Sequence, residues 1–181
     1  MPMKITDPWP DPDAVQDVRE QAITFQSSDP FVPRDIGQAP KWMVRSLLFL
    51  PKAATPDHAT PAVVMLHGSD GMIDDRAKYG PQLASMGIAA LLVETYDSRR
   101  DLGTGFIEQV LNITETMFAA DAYAALAYLA TRPEVDPHRV ALAGFSYGGM
   151  ATQYGRCARA EWSALRRPCV ILCTVHRPLC R

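Results

Sequence analysis

No stretch of the 181-residue chain approaches the ~20 consecutive apolar residues a membrane-spanning helix needs. Nor does the start, Met1-Pro2-Met3-Lys4-Ile5-Thr6-Asp7-Pro8, set an apolar run behind its lysine, so neither a signal peptide nor an anchor is read there. An excess of one charge is also lacking. Lys and Arg number 18 against 20 Asp and Glu, a net charge of −2, which argues against nucleic acid or an anionic membrane as the main partner. Internal repeats and low-complexity tracts are absent. Cysteine does not occur before position 157, and without a secretion signal a disulfide framework is disfavoured. These absences point to a soluble, cytoplasmic protein, one domain's worth of chain with ordinary apolar content.

What is present is an alternation of elements. Residues 1–40, rich in Pro and Asp, read as an irregular lead-in with at most one short strand at 22–25. Residues 43–50 form a strand that stops at Pro51. Residues 62–66 and 88–93 are continuous apolar runs, the pattern of strands buried on both faces of a parallel sheet. Between them, 77–86 has helical spacing and ends at Gly87, a suitable helix terminator. Residues 94–105 are loop-like. Residues 106–131 read as helix, broken near Asn112-Ile113-Thr114, with Met117, Phe118, Ala122, Ala125, Leu126 and Leu129 on one face. That tripeptide is also a glycosylation sequon, read as unmodified in a helix of a chain without a secretion signal. Asp136-Pro137 makes a turn, and 140–143 is a third buried strand. The order predicts an α/β fold with a doubly wound, mostly parallel sheet. Residues 41–160 would form its core and 161–181 an atypical tail.

The third strand runs into Gly144-Phe145-Ser146-Tyr147-Gly148-Gly149. A serine hydroxyl must stand clear of its own backbone to attack an acyl carbon, and Gly-x-Ser-x-Gly between a strand and a helix achieves this. Glycines 144 and 148 let strand and helix pass closely, and the positive end of the helix dipole favours negative charge near Ser146. The alternative is a glycine-rich turn whose serine merely caps a helix. The glycine spacing does not fit a dinucleotide-binding Gly-x-Gly-x-x-Gly. A second motif, His67-Gly68-Ser69-Asp70-Gly71, ends the first buried strand. Acyl transfer needs two amides to receive the developing oxyanion, here those of Tyr147 and Ser69. His67 at this position braces the loop more readily than it serves as the base.

These segments, together with Glu94-Thr95-Tyr96-Asp97-Ser98-Arg99 and Val135-Asp136-Pro137-His138-Arg139, resemble the dienelactone hydrolase family of the α/β-hydrolases. The resemblance spans residues 44–154. It implies a cofactor-free, metal-free hydrolase of a small-molecule ester or lactone, with Ser146 as nucleophile and Tyr147 and Ser69 at the oxyanion hole. Serine at 146, where the name-giving lactonases have cysteine, and glycine at 68, where they have glutamate, point to an esterase-like branch. The Ser-Tyr-Gly-Gly string is also similar to prolyl-oligopeptidase-type serine peptidases. Tyr96 and Arg99, following the second core strand, are candidate substrate-binding residues, an arginine there being able to hold a carboxylate. A solvated loop is the alternative, as it is for Asp70, Asp74 and Asp75.

In this fold an acid and then a histidine follow the nucleophile along the chain. After Ser146 the sequence offers only Glu161 and His176. The last 25 residues hold all four cysteines (Cys157, Cys169, Cys173, Cys180), and six arginines follow Gly155. That composition is what a GC-rich gene gives when read out of frame. Codons for Cys173-Thr174-Val175-His176, shifted by one base, can encode Ala-Pro-Cys-Ile, similar to the end of the next core strand in the family. The expectation is a chain truncated or frameshifted at its carboxyl end, with two or more strands missing. Three further readings concern this tail: a zinc site on Cys169, Cys173, His176 and Cys180, a catalytically dead fragment, and an interaction module forming a homodimer through Val170-Ile171-Leu172.

Overall fold

The computed structural model describes residues 17–157 and 172–175. Six strands, β1 (Val18–Ser28), β2 (Lys41–Pro51), β3 (Thr60–Leu66), β4 (Ala89–Val93), β5 (Val135–Phe145) and β6 (Leu172–Val175), form one sheet in the order β1-β2-β4-β3-β5-β6. β4, β3, β5 and β6 are mutually parallel, and β2 joins them antiparallel, with β1 antiparallel to β2. The helices are α1 (Asp74–Ala77), α2 (Tyr79–Ser85), α3 (Phe106–Asn112), α4 (Glu115–Leu129) and α5 (Tyr147–Cys157).

The continuous apolar runs are explained by burial on both faces. Val64, Leu66, Leu91 and Val93 point into one core with Met117, Phe118, Ala122 and Leu126 of α4 and Ala151 of α5. Met65, Ala90 and Leu92 point into a second with Ala84 and Leu83 of α2. Successive strand residues thus serve opposite cores, and a polar residue on either face would lie in apolar surroundings. This is the doubly wound α/β arrangement expected from the sequence. The helical break also stands where expected. Thr114 lies between α3 and α4 and caps the latter, its Oγ1 accepting from the Met117 N–H at 3.4 Å.

Two elements differ from expectation. The lead-in carries an eleven-residue strand, β1, paired along its whole length with β2. Only Phe25 and Ser27 within it are buried, because an edge strand presents one face to the core and shows no apolar run. The Asp136-Pro137 turn lies inside β5 as an irregularity. Thr60 pairs with Val135 and Ala62 with Val140, so residues 136–139 loop out of register. Asp136 holds the loop, accepting from the His138 N–H at 2.9 Å and from Arg139 Nε at 2.6 Å. Those bonds keep its carboxyl below the usual carboxylate range, Arg139 contributing most. The readings made of residues 161–171 and 176–181 lie outside the described residues. No described helix is long and apolar enough to cross a membrane.

Candidate functional site

Three adjacent parallel strands, β4, β3 and β5, end at the same edge of the sheet, with Leu66 in register with both Val93 and Gly144. Ser146 follows β5 and is exposed. Its φ is +47°, making it the sole non-glycine residue with positive φ among those described. A left-handed conformation at an L-residue costs roughly 1–2 kcal/mol, so the surroundings must hold it. They do. A β-carbon on Gly144 would run into the backbone of Gly148, and one on Gly148 would run into the carbonyl of His67. The Gly148 N–H donates to that His67 carbonyl at 3.0 Å, tying the serine turn to the end of β3. Met150 N–H donates to the Ser146 carbonyl at 3.0 Å and starts α5. Tyr147 is the first residue of α5, where a backbone N–H has no acceptor within the helix.

The segment after β3 is a tight turn. Gly71 N–H donates to the Gly68 carbonyl at 3.1 Å, and Gly71 takes φ +81°, which a side chain would resist. Ser69 stands at its tip, half-buried. His67 is buried beneath, with both ring nitrogens engaged. Tyr96 N–H donates to Nε2 at 3.3 Å, which leaves the proton on Nδ1 to donate to the Gly68 carbonyl at 2.7 Å. His67 therefore ties the β4 loop to the turn that carries Ser69, and offers neither nitrogen to Ser146.

An aromatic cluster supports the floor. His67 meets Tyr96 edge-on at 4.8 Å and Phe118 at 4.9 Å, and Phe118 meets Tyr147 at 5.4 Å. The Tyr147 hydroxyl donates to the Ile113 carbonyl at 3.1 Å, bridging the serine turn to the end of α3. The Tyr96 hydroxyl, in a residue 2% exposed, is buried without a hydrogen-bond partner. Burial, with Glu115 and Asp70 nearby, raises its pKa to about 12. Burial and then Glu115 raise that of Tyr147 as well. Glu115, at the start of α4, thus influences both phenols. The sequence reading passed over it, since nothing local distinguishes a first-turn glutamate from a helix cap.

Arg99 is a correction. Its side chain is wholly enclosed, with Nη1 and Nη2 donating to Asp121 at 2.7 and 2.9 Å and Nε to Asp29 at 2.6 Å. Nη1 and Nη2 also reach the Thr95 and Ser28 carbonyls. Burial works against the charge, but the two aspartates outweigh it and raise the pKa. A guanidinium committed in this way is not available to a substrate carboxylate. The other described histidines, His58 and His138, precede β3 and lie near the start of β5, at the opposite sheet edge from Ser146. Among the described residues no cluster of His, Cys, Asp and Glu could hold a metal.

A strained serine on a strand-to-helix turn, at the carboxyl edge of a doubly wound sheet, defines the α/β-hydrolase class. Within it, the family model for the dienelactone hydrolase family matches residues 45–161, and the chain belongs to that family. Among solved structures, a protein called m3DLH is 23% identical with a TM-score of 0.58, over 77% of this chain and 54% of that one. A dienelactone hydrolase-like promiscuous phosphotriesterase, P91, from metagenomic libraries is 19% identical (TM-score 0.56, over 75% and 52%). The esterase Est22 is 16% identical (TM-score 0.61, over 84% and 43%). This chain therefore spans about half the length of the structures it matches. A search of curated proteins gives no match.

Proposed function

We propose that this chain carries the nucleophile half of a serine hydrolase site that cleaves a small carboxylic ester or lactone. The observation that carries the reading is the exposed Ser146 at φ +47°, held there by glycines that admit no β-carbon, in a member of the dienelactone hydrolase family. In this reading Ser146 Oγ attacks the acyl carbon, and the carbonyl oxygen takes the negative charge. The amides of Tyr147 and Ser69 receive that charge, one from the start of α5 and one from the turn His67 braces. Collapse breaks the bond to the leaving oxygen and leaves an acyl-serine, which water hydrolyses. Tyr96 contributes a buried hydroxyl that lacks a protein partner.

The serine proton needs a base, and among the described residues His67, His58 and His138 do not supply it. That favours a second reading, of a chain that binds substrate and turns it over poorly. Loss of the triad base costs orders of magnitude, with residual catalysis from the oxyanion hole and binding. A fluorophosphonate probe distinguishes these. Rapid labelling that disappears in Ser146→Ala is expected of an activated nucleophile. A folded wild-type chain that takes up no probe would overturn the first reading and leave the second.

A further inference from the structure

In the serine-hydrolase reading, the residue after the nucleophile contributes its main-chain amide, and a backbone N–H needs no particular side chain. This chain nevertheless places a tyrosine there. Tyr147 is 8% exposed, and its ring meets that of Phe118 edge-on at 5.4 Å. Phe118 is fully buried and packs edge-on in turn against His67 at 4.9 Å and Tyr96 at 5.5 Å. The Tyr147 ring is therefore seated against α4, the helix that carries Phe118.

Its hydroxyl reaches a particular acceptor. Ile113 closes α3 with φ −110° and ψ 103°, and Thr114 opens α4 with φ −86° and ψ 162°, so two extended residues join the helices. The first bonds of α4, from the Met117 and Phe118 N–H groups, go to the Thr114 carbonyl. The Ile113 carbonyl precedes that cap, in a fully buried residue, and a buried carbonyl calls for a donor. The Tyr147 hydroxyl supplies one at 3.1 Å across 34 residues of sequence. Burial, and then Glu115, raise the pKa of the phenol, so it keeps the proton it donates.

The Tyr147 amide thus stands between two ties. On one side Gly148, the next residue, donates its N–H to the His67 carbonyl at 3.0 Å, at the end of β3. On the other, the tyrosine's own side chain is tied to the link between α3 and α4. Ser146, immediately before, is strained at φ +47°, and a strained residue keeps its conformation only where its surroundings over-determine it.

We infer that Tyr147 is a positioning residue for the reaction at Ser146, its hydroxyl letting the α3–α4 link fix the direction of the amide that receives the oxyanion. This rests on the serine-nucleophile reading. Donors aimed in advance at developing charge need no reorganisation during the reaction, and a slight misdirection costs rate more than affinity. Loss of the hydroxyl should therefore slow bond formation at Ser146 and leave the approach of the reagent as it was.

The test follows fluorophosphonate labelling of the full chain over a range of probe concentrations, separating the maximal rate from the half-saturating concentration. Tyr147→Phe keeps the ring and loses the hydroxyl. Its maximal rate is expected to fall about tenfold, less than the roughly 10²–10³ lost when an oxyanion donor is removed outright. The half-saturating concentration should stay near that of the wild type. Tyr128→Phe is the control, removing a phenol near the other end of α4 that bonds Arg132 at 2.9 Å, and it should change neither constant. Hydrogen exchange adds a readout that needs no variant. Phosphonylation of wild-type Ser146 should slow exchange at residues 147–150 and also at 113–117, and in Tyr147→Phe the slowing at 113–117 should disappear. An equal fall in Tyr128→Phe overturns the proposal, as does wild-type phosphonylation that leaves 113–117 unaffected. The two readings fail separately. Labelling of wild type and Tyr147→Phe at one maximal rate removes the positioning role and keeps the nucleophile. A folded wild type that takes up no probe removes the nucleophile, and the positioning role with it.

Discussion

At the scale of single residues, the site is defined by groups whose local cost is met by their neighbours, and Tyr96 is the exception. Its hydroxyl is buried with no partner, and a buried polar group left unsatisfied costs about 1–3 kcal/mol. Tyr96→Phe should therefore raise stability at neutral pH by about 1 kcal/mol while, on the proposed serine-hydrolase reading, lowering kcat/KM for any ester the chain turns over. The pH dependence has a defined sign. The folded-state pKa, about 12, lies above the ordinary value of 10.0, so the folded state holds this proton more tightly than the unfolded one. Its contribution is complete below pH 10 and is lost as pH rises towards 12. Urea melts at pH 8 and pH 11 check this, the wild type losing more stability between them than Tyr96→Phe does. Equal losses would show that the phenol is solvated. The residue itself was legible in the sequence as a candidate binding group after a core strand. Its orphaned hydroxyl was not, because that depends on what surrounds it in space.

At the scale of elements, the segments read correctly are those whose signal is local. The apolar runs of β3 and β4 and the break at Asn112-Ile113-Thr114 each announce themselves within a few residues. The strand-turn-helix around Ser146 does too, because its motif lies within six residues and Gly144 is required by contact with Gly148 and Gly149. β1 was legible only as a short strand at 22–25, since all eleven of its backbone partnerships cross to β2 and its alternation VREQAITFQSS is mostly polar. One contact of the serine turn is not local, and it yields the sharper prediction. Gly148 packs against the end of β3, where an added β-carbon would strike the His67 carbonyl and lie 2.8 Å from the Leu66 side chain. Backbone cannot move aside as a flexible side chain would, so Gly148→Ala should destabilise by about 3 kcal/mol or more, the upper end for overpacking. It should also reduce serine labelling by displacing the turn. Chemical denaturation measures the first effect, and a cost below about 1 kcal/mol would mean that the two strands' ends are not so closely joined.

For the whole molecule, the buried charge cluster connects parts of the chain that no local pattern links. Asp29 follows the edge strand β1, Arg99 lies in the short 3-10 turn after β4, and Asp121 is in the middle of α4. Asp121 also accepts from Ser27 Oγ at 2.7 Å, so one carboxylate receives three hydrogen bonds. Arg99 and Asp121 are 22 residues apart, and Arg99 and Asp29 are 70 apart. That separation is why Arg99 reads from sequence as a substrate contact and is found instead inside the protein. A buried pair contributes little when both members are replaced by well-packed apolar groups, but removing one partner strands the other charge at a cost of about 3–5 kcal/mol. Asp121→Ala should therefore destabilise by that amount, and Arg99→Met/Asp121→Leu should recover most of the loss. The recovered double variant bears on function as well. If Arg99 acts only by joining β1, the β4 loop and α4, the double variant should keep whatever fluorophosphonate labelling the wild type has. If the double variant is as stable as the wild type and yet loses the labelling, the cluster must reach the serine through the Thr95-Tyr96 loop and His67. A double-mutant cycle read by both denaturation and labelling separates those two outcomes.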